Sequence, residues 1–253
     1  MAANIYSRIA LLGAVAILLP AFAQNRGPDT IGALQKAVDQ NPSSAKAHEQ
    51  LGVALLAQIT SGNVRPSADS DIVERAESHL RRATELAPYA SSPLMELSDL
   101  QAALGERAGD PEERSERYKK AQDLLKQAVA LEPAKGSMYL RLANLERDEF
   151  GPALQQAKAK SGSKSGPLAD AELRRSLQEQ YGALIDDAIA NARKAAEMAV
   201  RSPQPLLLMS RLLRERALVR DTPEQYASDM HSADDYQRQF LTAGGHLGSE
   251  NPK

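Results

Sequence analysis

From about residue 30 onward, apolar positions recur three and four residues apart, and no segment sustains the period-two alternation of a half-buried strand. That spacing predicts helices over residues 30–41, 45–60, 71–86, 92–104, 111–131, 137–148, a long one ending near Val200, 205–219 and 223–241. Several ends are marked by residue type. Asp110-Pro111-Glu112-Glu113 offers an N-cap aspartate, a proline in the first turn and a glutamate able to complete a capping box. Thr222-Pro223-Glu224-Gln225 repeats that order, and residues 71–74 form a weaker version. Gly62 and Gly105 stand where first helices are expected to stop.

A second regularity lies over the first. The string Ala-x3-Leu-x2-Ala-x4-Pro occurs as Ala76, Leu80, Ala83, Pro88 and again as Ala121, Leu125, Ala128, Pro133. Six residues after each of four prolines another pattern opens: His48, Leu51, Gly52 after Pro42; Leu94, Leu97, Ser98 after Pro88; Tyr139, Leu142, Ala143 after Pro133; Met209, Leu212, Leu213 after Pro203. Small residues belong where two helix axes cross closely, and larger ones fill the gaps between crossings. A hairpin of this kind cannot bury its whole apolar face alone, so neighbouring units must stack.

These strings resemble the tetratricopeptide repeat. The resemblance implies an all-α fold: a right-handed helical-hairpin solenoid of about four units, with an N-terminal half repeat around Leu34, Ala37 and Pro42. The spacing departs from the family. Successive prolines lie 46, 45 and 70 residues apart, against about 34 in the consensus. The extra residues fall between the two helices of a unit, never between units. The third insertion is the odd one. Residues 158–167, KAKSGSKSGP, read as an exposed loop. The stripe Leu173, Leu177, Tyr181, Leu184, Ala188, Ala192, Ala195, Ala199 then predicts a helix of about 33 residues, with Gly182 as a place to kink and its first half projecting beyond its neighbours.

The first 23 residues read differently. Arg8, the apolar run over residues 9–19, Pro20 and Ala21-Phe22-Ala23 form the order of a secretory signal peptide cleaved before Gln24. The run is too short for a membrane span, rising about 17 Å against a hydrocarbon core of about 30 Å. The expected organisation is signal peptide 1–23, linker 24–29, repeat domain 30–241 and a disordered tail 242–253. Location is expected to be periplasmic or secreted, with no membrane insertion after cleavage.

Composition narrows the chemistry. The chain has no cysteine, which removes disulfides, thiolate metal sites, thiol nucleophiles and a lipidated N-terminal cysteine. Its net charge of −2 gives no global drive toward nucleic acid. Ser161-Gly162-Ser163-Lys164 matches S-x-x-K formally, but it sits among glycines and serines without the partner motifs of that chemistry. His48 replaces a consensus tryptophan and is expected between helices. His79 and His231 are expected at the surface, and His246 in the tail. No pair of them has metal-ligand spacing. Asp186-Asp187 and Asp234-Asp235 point about 100° apart on a helix and read as polar faces. Arg211, Arg214, Arg216 and Arg220 oppose Asp229, Asp234 and Asp235, which suits either pairing between the last two helices or a basic patch. No enzyme activity and no cofactor are expected.

By resemblance, partners bind the concave face, lined by the second, fifth, ninth and twelfth positions of each first helix. These are Lys46, Glu49, Val53, Leu56; Ser92, Met95, Asp99, Ala102; Ser137, Leu140, Asn144, Arg147; and Leu207, Ser210, Arg214, Ala217. The candidate contacts are Glu49, Val53, Met95, Asp99, Leu140, Asn144, Arg147 and Arg214, for an extended peptide or helix of another protein. The lysine–asparagine clamp for a C-terminal carboxylate is absent, since Glu49 and Val53 hold those places. A competing surface is the projecting helix at residues 174–184. The alternative to a scaffold is an accessory periplasmic subunit of a solute transport system.

Overall fold

The structure is a computed structural model that describes residues 28–61, 70–161, 166–198 and 202–249. The signal segment, its cleavage point, Gly62 and the bulk of the S-x-x-K tetrad lie outside these residues. So do Ala199, Val200 and the last four positions.

The described residues form nine helices and no strand: α1 (Pro28–Gln40), α2 (Ala45–Thr60), α3 (Ser70–Leu86), α4 (Ser91–Arg107), α5 (Pro111–Leu131), α6 (Gly136–Ser161), α7 (Ala171–Met198), α8 (Gln204–Leu218) and α9 (Pro223–Ser249). They pack as hairpins α2–α3, α4–α5, α6–α7 and α8–α9, with α1 against α2. Each second helix also meets the first helix of the next unit. The result is an all-α solenoid whose first helices line one side. Among the described residues no helix is long and apolar enough to cross a membrane.

The crossing residues sit where the repeat pattern places them. Ala76, Ala83, Ala121 and Ala128 are completely buried. Gly52 meets α3 so closely that an added Cβ would lie 2.6 Å from Leu80 Cγ. Ser98 holds a small-residue position and donates its hydroxyl to the Ala121 carbonyl at 2.8 Å, so a polar group is buried without loss. The caps at Asp110 and Thr222 form as expected, each accepting from the amide three residues on. Asp170, not singled out by the sequence, caps α7 in the same way.

The second crossing departs from expectation. Gly105 does not stop α4, which continues to Arg107. Instead it is buried where α5 passes, with Arg117 and the Tyr118 ring closest to where its Cβ would stand.

The third unit differs most. The helix predicted over 137–148 runs thirteen residues further, through an internal Pro152. Phe150, Leu154 and Ala157 extend its apolar stripe into the core, and that burial outweighs the proline. Residues 158–161 are therefore helix, not loop. At the far side of the connection Leu168 is 1% exposed and donates its amide to the Leu218 carbonyl at 2.9 Å, tying the segment before α7 to the end of α8. α7 is 28 residues long and passes Gly182 as one helix. Its first half does not project alone, because α6 has lengthened beside it. Leu177 is buried, and Leu173, Tyr181 and Leu184 pack against the same block.

At the C-terminus, α9 passes Gly244-Gly245 and reaches Ser249, so the tail expected from residue 242 is helical to that point. At the other end α1 begins at Pro28, inside the expected linker.

Two buried polar pairs bear on stability. His48 Nε2 lies 3.1 Å from the Pro42 carbonyl, which can only accept, so that nitrogen carries a proton. Its Nδ1 is 3.0 Å from Nδ1 of His79, which must then be the donor. His79 is half-buried and paired, not free at the surface. Burial, His48 and Arg75 hold its pKa below the ordinary value, since a second proton would set two donors face to face.

The other pair is Glu146, 1% exposed on α6, which accepts from Asn191 Nδ2 of α7 at 3.0 and 2.9 Å. Burial pushes its carboxyl up to about 7, against the Asn191 hydrogen bonds. The folded state thus holds a proton that the unfolded chain loses near pH 4.3. Its contribution is full below that pH and is lost as pH rises through about 7. Glu146→Gln is expected to stabilise the fold at pH 8 by on the order of 1–3 kcal/mol and to change little at pH 4. Thermal melts at the two pH values check this; equal shifts at both would contradict it.

Candidate functional site

The inner side of the stack carries a groove of about 710 Å3. One wall is α2, with Val53, Leu56, Ala57 and Thr60. The floor is α4, with Asp99, Ala102, Ala103 and Glu106. The opposite wall is α6, with Arg147, Asp148, Gly151, Pro152 and Gln155, and α5 adds Arg114 and Tyr118.

Polar contacts tie successive first helices along this side. Ser92 of α4 donates to Glu49 of α2. Arg141 of α6 donates to Asp99 of α4, its Nε at 3.0 Å. Arg147 of α6 grips Glu215 of α8 through Nε at 3.0 Å to both oxygens and through Nη2 at 2.6 Å. Two-pronged contacts of this kind fix geometry as well as adding energy. Glu215 is buried, which raises its carboxyl despite the Arg147 hydrogen bonds.

These contacts decide where the sequence-derived residues end up. Val53, Asp99 and Arg147 come together in the groove, with Leu56 and Ala102 of the same inner-face positions. The other five lie outside its lining. Glu49 is occupied by Ser92. Met95 and Leu140 are half-buried and packed into the core between units. Asn144 is exposed but turns its amide to the Leu140 carbonyl of its own helix at 2.9 Å. Arg214 pairs with Asp234 at 2.7 Å. In the same hairpin Arg216 and Arg220 both bind Asp229, and Arg216 also reaches Asp186. These arginines form interhelical pairs, not an open basic patch.

The groove therefore uses the late positions of three first helices, α2, α4 and α6, and continues past them. Thr60, Glu106, Gly151, Pro152 and Gln155 all lie beyond the twelfth position, and Arg114 and Tyr118 precede the Ala121 crossing. Much of the far end is thus built from the residues that lengthen the repeats. The signal that could have found them is the continuation of the apolar stripe at Phe150, Leu154 and Ala157, which carries Gly151 and Gln155 onto the opposite face.

The groove is mixed in character. Tyr118 is 5% exposed, and its hydroxyl makes no hydrogen bond among the described residues. Its phenol is pushed up to about 12 by burial and by the nearby Asp148 and Glu106 carboxylates. Burial also raises Asp148, with Arg147 opposing and Glu106 adding to the rise. No group of three or more metal-ligating side chains is present among the described residues. A second hollow of about 480 Å3 lies on the other side of Arg114, between Gly109, Glu149 and Tyr181.

No family model matches the sequence, and no curated protein matches it either. Solved structures do match in fold. A crystal structure of MamA protein is 12% identical over 88% of this chain and 85% of its own, with a TM-score of 0.52. The MamA RS-1 ArsTM double mutant is 13% identical over 88% of this chain and 87% of its own, with a TM-score of 0.53. TTC0263, a thermophilic TPR protein of Thermus thermophilus, is 22% identical over 72% of this chain and 88% of its own, at a TM-score of 0.38. At such identities the likeness is one of fold. Together with the hairpin stack and its buried alanine crossings, the likeness to the two MamA structures defines the fold: an all-α helical-hairpin solenoid with elongated units, of the type that the repeat strings resemble.

Proposed function

We propose that this chain is an exported, non-enzymatic scaffold that binds an extended segment of another protein in its inner groove. The groove itself carries the reading. It has a volume of about 710 Å3 and a lining that mixes apolar and polar side chains, which suits an extended peptide segment. Val53, Leu56 and Ala102 supply apolar contact, while Thr60 and Gln155 offer polar groups to a backbone and the Asp99–Arg141 and Arg147–Glu215 pairs hold the walls in place. Arg8, the apolar run that follows it and the Ala21-Phe22-Ala23 sequence support export.

Gly151 allows a clean test. It lies in the groove wall, and a Cβ there would meet nothing within 4 Å. Gly151→Phe should fill the groove without disturbing the core. A helical glycine replaced by a better helix former should leave the melting temperature unchanged or slightly raised. Proteins captured from the native cell envelope by the wild type are expected to be lost, at least tenfold, with the variant. Equal capture by both would place binding elsewhere.

A further inference from the structure

The far end of the groove carries an unbalanced charge. Two of its ionisable groups are already paired, and a third, Arg114, brings one opposing charge. Asp99 is bound by Arg141, and Arg147 is committed to Glu215. Arg147 Nη1 stays 3.9 Å from Asp148 Oδ1, beyond hydrogen-bond length. Arg114 turns Nη2 toward the Ala108 carbonyl at 3.5 Å, while its buried Nε has no partner among the described residues and its charge still acts on Tyr118. Against that one guanidinium stand two carboxylates. Glu106 of α4 has no ion-pair partner among the described residues, and Asp148 of α6 has only the long contact with Arg147. Each raises the cost of ionising the other or its neighbour: Glu106 acts on Asp148, and both act on Tyr118.

One further group lines the same place. Tyr118 is buried beside Gly105, whose missing side chain lets the ring lie close against α4. Its hydroxyl has no partner among the described residues and is reached from the groove, so a ligand can take that hydrogen bond in place of water. Two carboxylates and a phenol oxygen outnumber the one guanidinium. The complementary group is a multiple donor with positive charge.

We propose that this end of the groove is a pocket for one cationic side chain, lysine or arginine, of the docked segment, held between Glu106 and Asp148 beside the Tyr118 hydroxyl. The proposal rests on the groove reading and names what that groove selects. The charged head takes the acceptors, and its aliphatic stem lies along Ala102, Ala103 and Leu56. The site is the reverse of a carboxylate clamp, and it discriminates by charge.

Fluorescein-labelled, acetylated and amidated heptapeptides test it, alanine and valine throughout with lysine, norleucine or glutamate at the centre. Fluorescence polarisation with the full chain lacking residues 1–23 gives their affinities. The lysine peptide is expected to bind at least fivefold tighter than the norleucine peptide and at least tenfold tighter than the glutamate one. The double change Glu106→Gln with Asp148→Asn should erase that preference, so that the lysine and norleucine peptides bind alike. Both side chains lie at the groove surface, Asp148 only partly covered, and outside the core clusters, so the melting curve should be preserved. Equal affinity for lysine and norleucine, a preference for glutamate, equal loss of all peptides in the double variant, or no binding of any peptide up to millimolar concentration would overturn the pocket. Lysine-peptide binding that survives Gly151→Phe would overturn the groove reading instead.

Discussion

Phe150→Ala should destabilise the protein by about 3–5 kcal/mol, the usual range for deleting a fully enclosed aromatic ring. Phe150 is 0% exposed. It lies at the heart of the block formed by α6, α7 and α8, with Leu154, Leu168, Leu177 and Ile185 in the same cluster. The residue belongs to the stretch by which α6 exceeds an ordinary first helix. A large loss would show that this extension is core and not ornament. Urea unfolding followed by circular dichroism measures it, as a lower midpoint in the wild type's buffer. A change below about 1 kcal/mol would mean that the extension is only loosely packed and that the far wall of the groove has no rigid backing.

Asp229→Ala is expected to cost about 2–4 kcal/mol, by a different mechanism. The carboxylate is 4% exposed and receives Arg216 at 2.6 and 3.1 Å and Arg220 at 2.7 Å. Removing it leaves two partly covered guanidinium groups without their shared acceptor, although Arg216 retains Asp186 at 2.9 Å and both can turn toward water. That partial escape is the reason to expect less than the loss at a sealed site. The pair also has a signature in pH. Burial alone would raise Asp229, but the hydrogen bonds from Arg216 and Arg220 outweigh it and hold the carboxyl below the usual range. Its stabilisation is present above the unfolded value near pH 3.9 and is lost as pH falls further. The gap between wild type and variant should therefore narrow below pH 3, while at pH 7 it is full. A gap that stays constant across that range would assign the cost to lost packing instead of charge.

What could be read in advance was whatever depends on neighbours in the chain. Ala76, Leu80, Ala83 and their counterparts were legible because a close crossing demands small residues at a fixed offset from the turn. Asp110 and Thr222 were legible because a cap acts within one helical turn. The end of α6 was not. Gly151-Pro152 is a local breaker, and only the burial of Phe150 and Leu154 against α7 overrides it, a contact made with residues far along the chain. His48 and His79 stand 31 positions apart, so their pairing has no sequence signature. The groove was half legible for the same reason. Val53, Asp99 and Arg147 follow from repeat register, whereas Glu106, Arg114, Tyr118 and Gly151 occupy added length for which the repeat provides no register. Glu49, Met95, Leu140 and Arg214 share that register but are taken up by other helices, and competition of that kind becomes visible only once the helices are placed.

The lengthening of α6 and α7 in step has a consequence for how such a chain can change over generations. A longer helix on its own would present a bare apolar stripe to water and would be selected against. Two helices that grow from the same tip cover one another, so each added pair of turns arrives with its own partner. The following unit takes part as well, through the Leu168 bond to the end of α8 and the core block that α8 shares. Hairpin tips are then the places where this architecture can accept new sequence most cheaply, in natural lineages and in the laboratory alike. A foreign helical pair grafted in register onto the end of α6 and the start of α7 would reshape one wall of the groove.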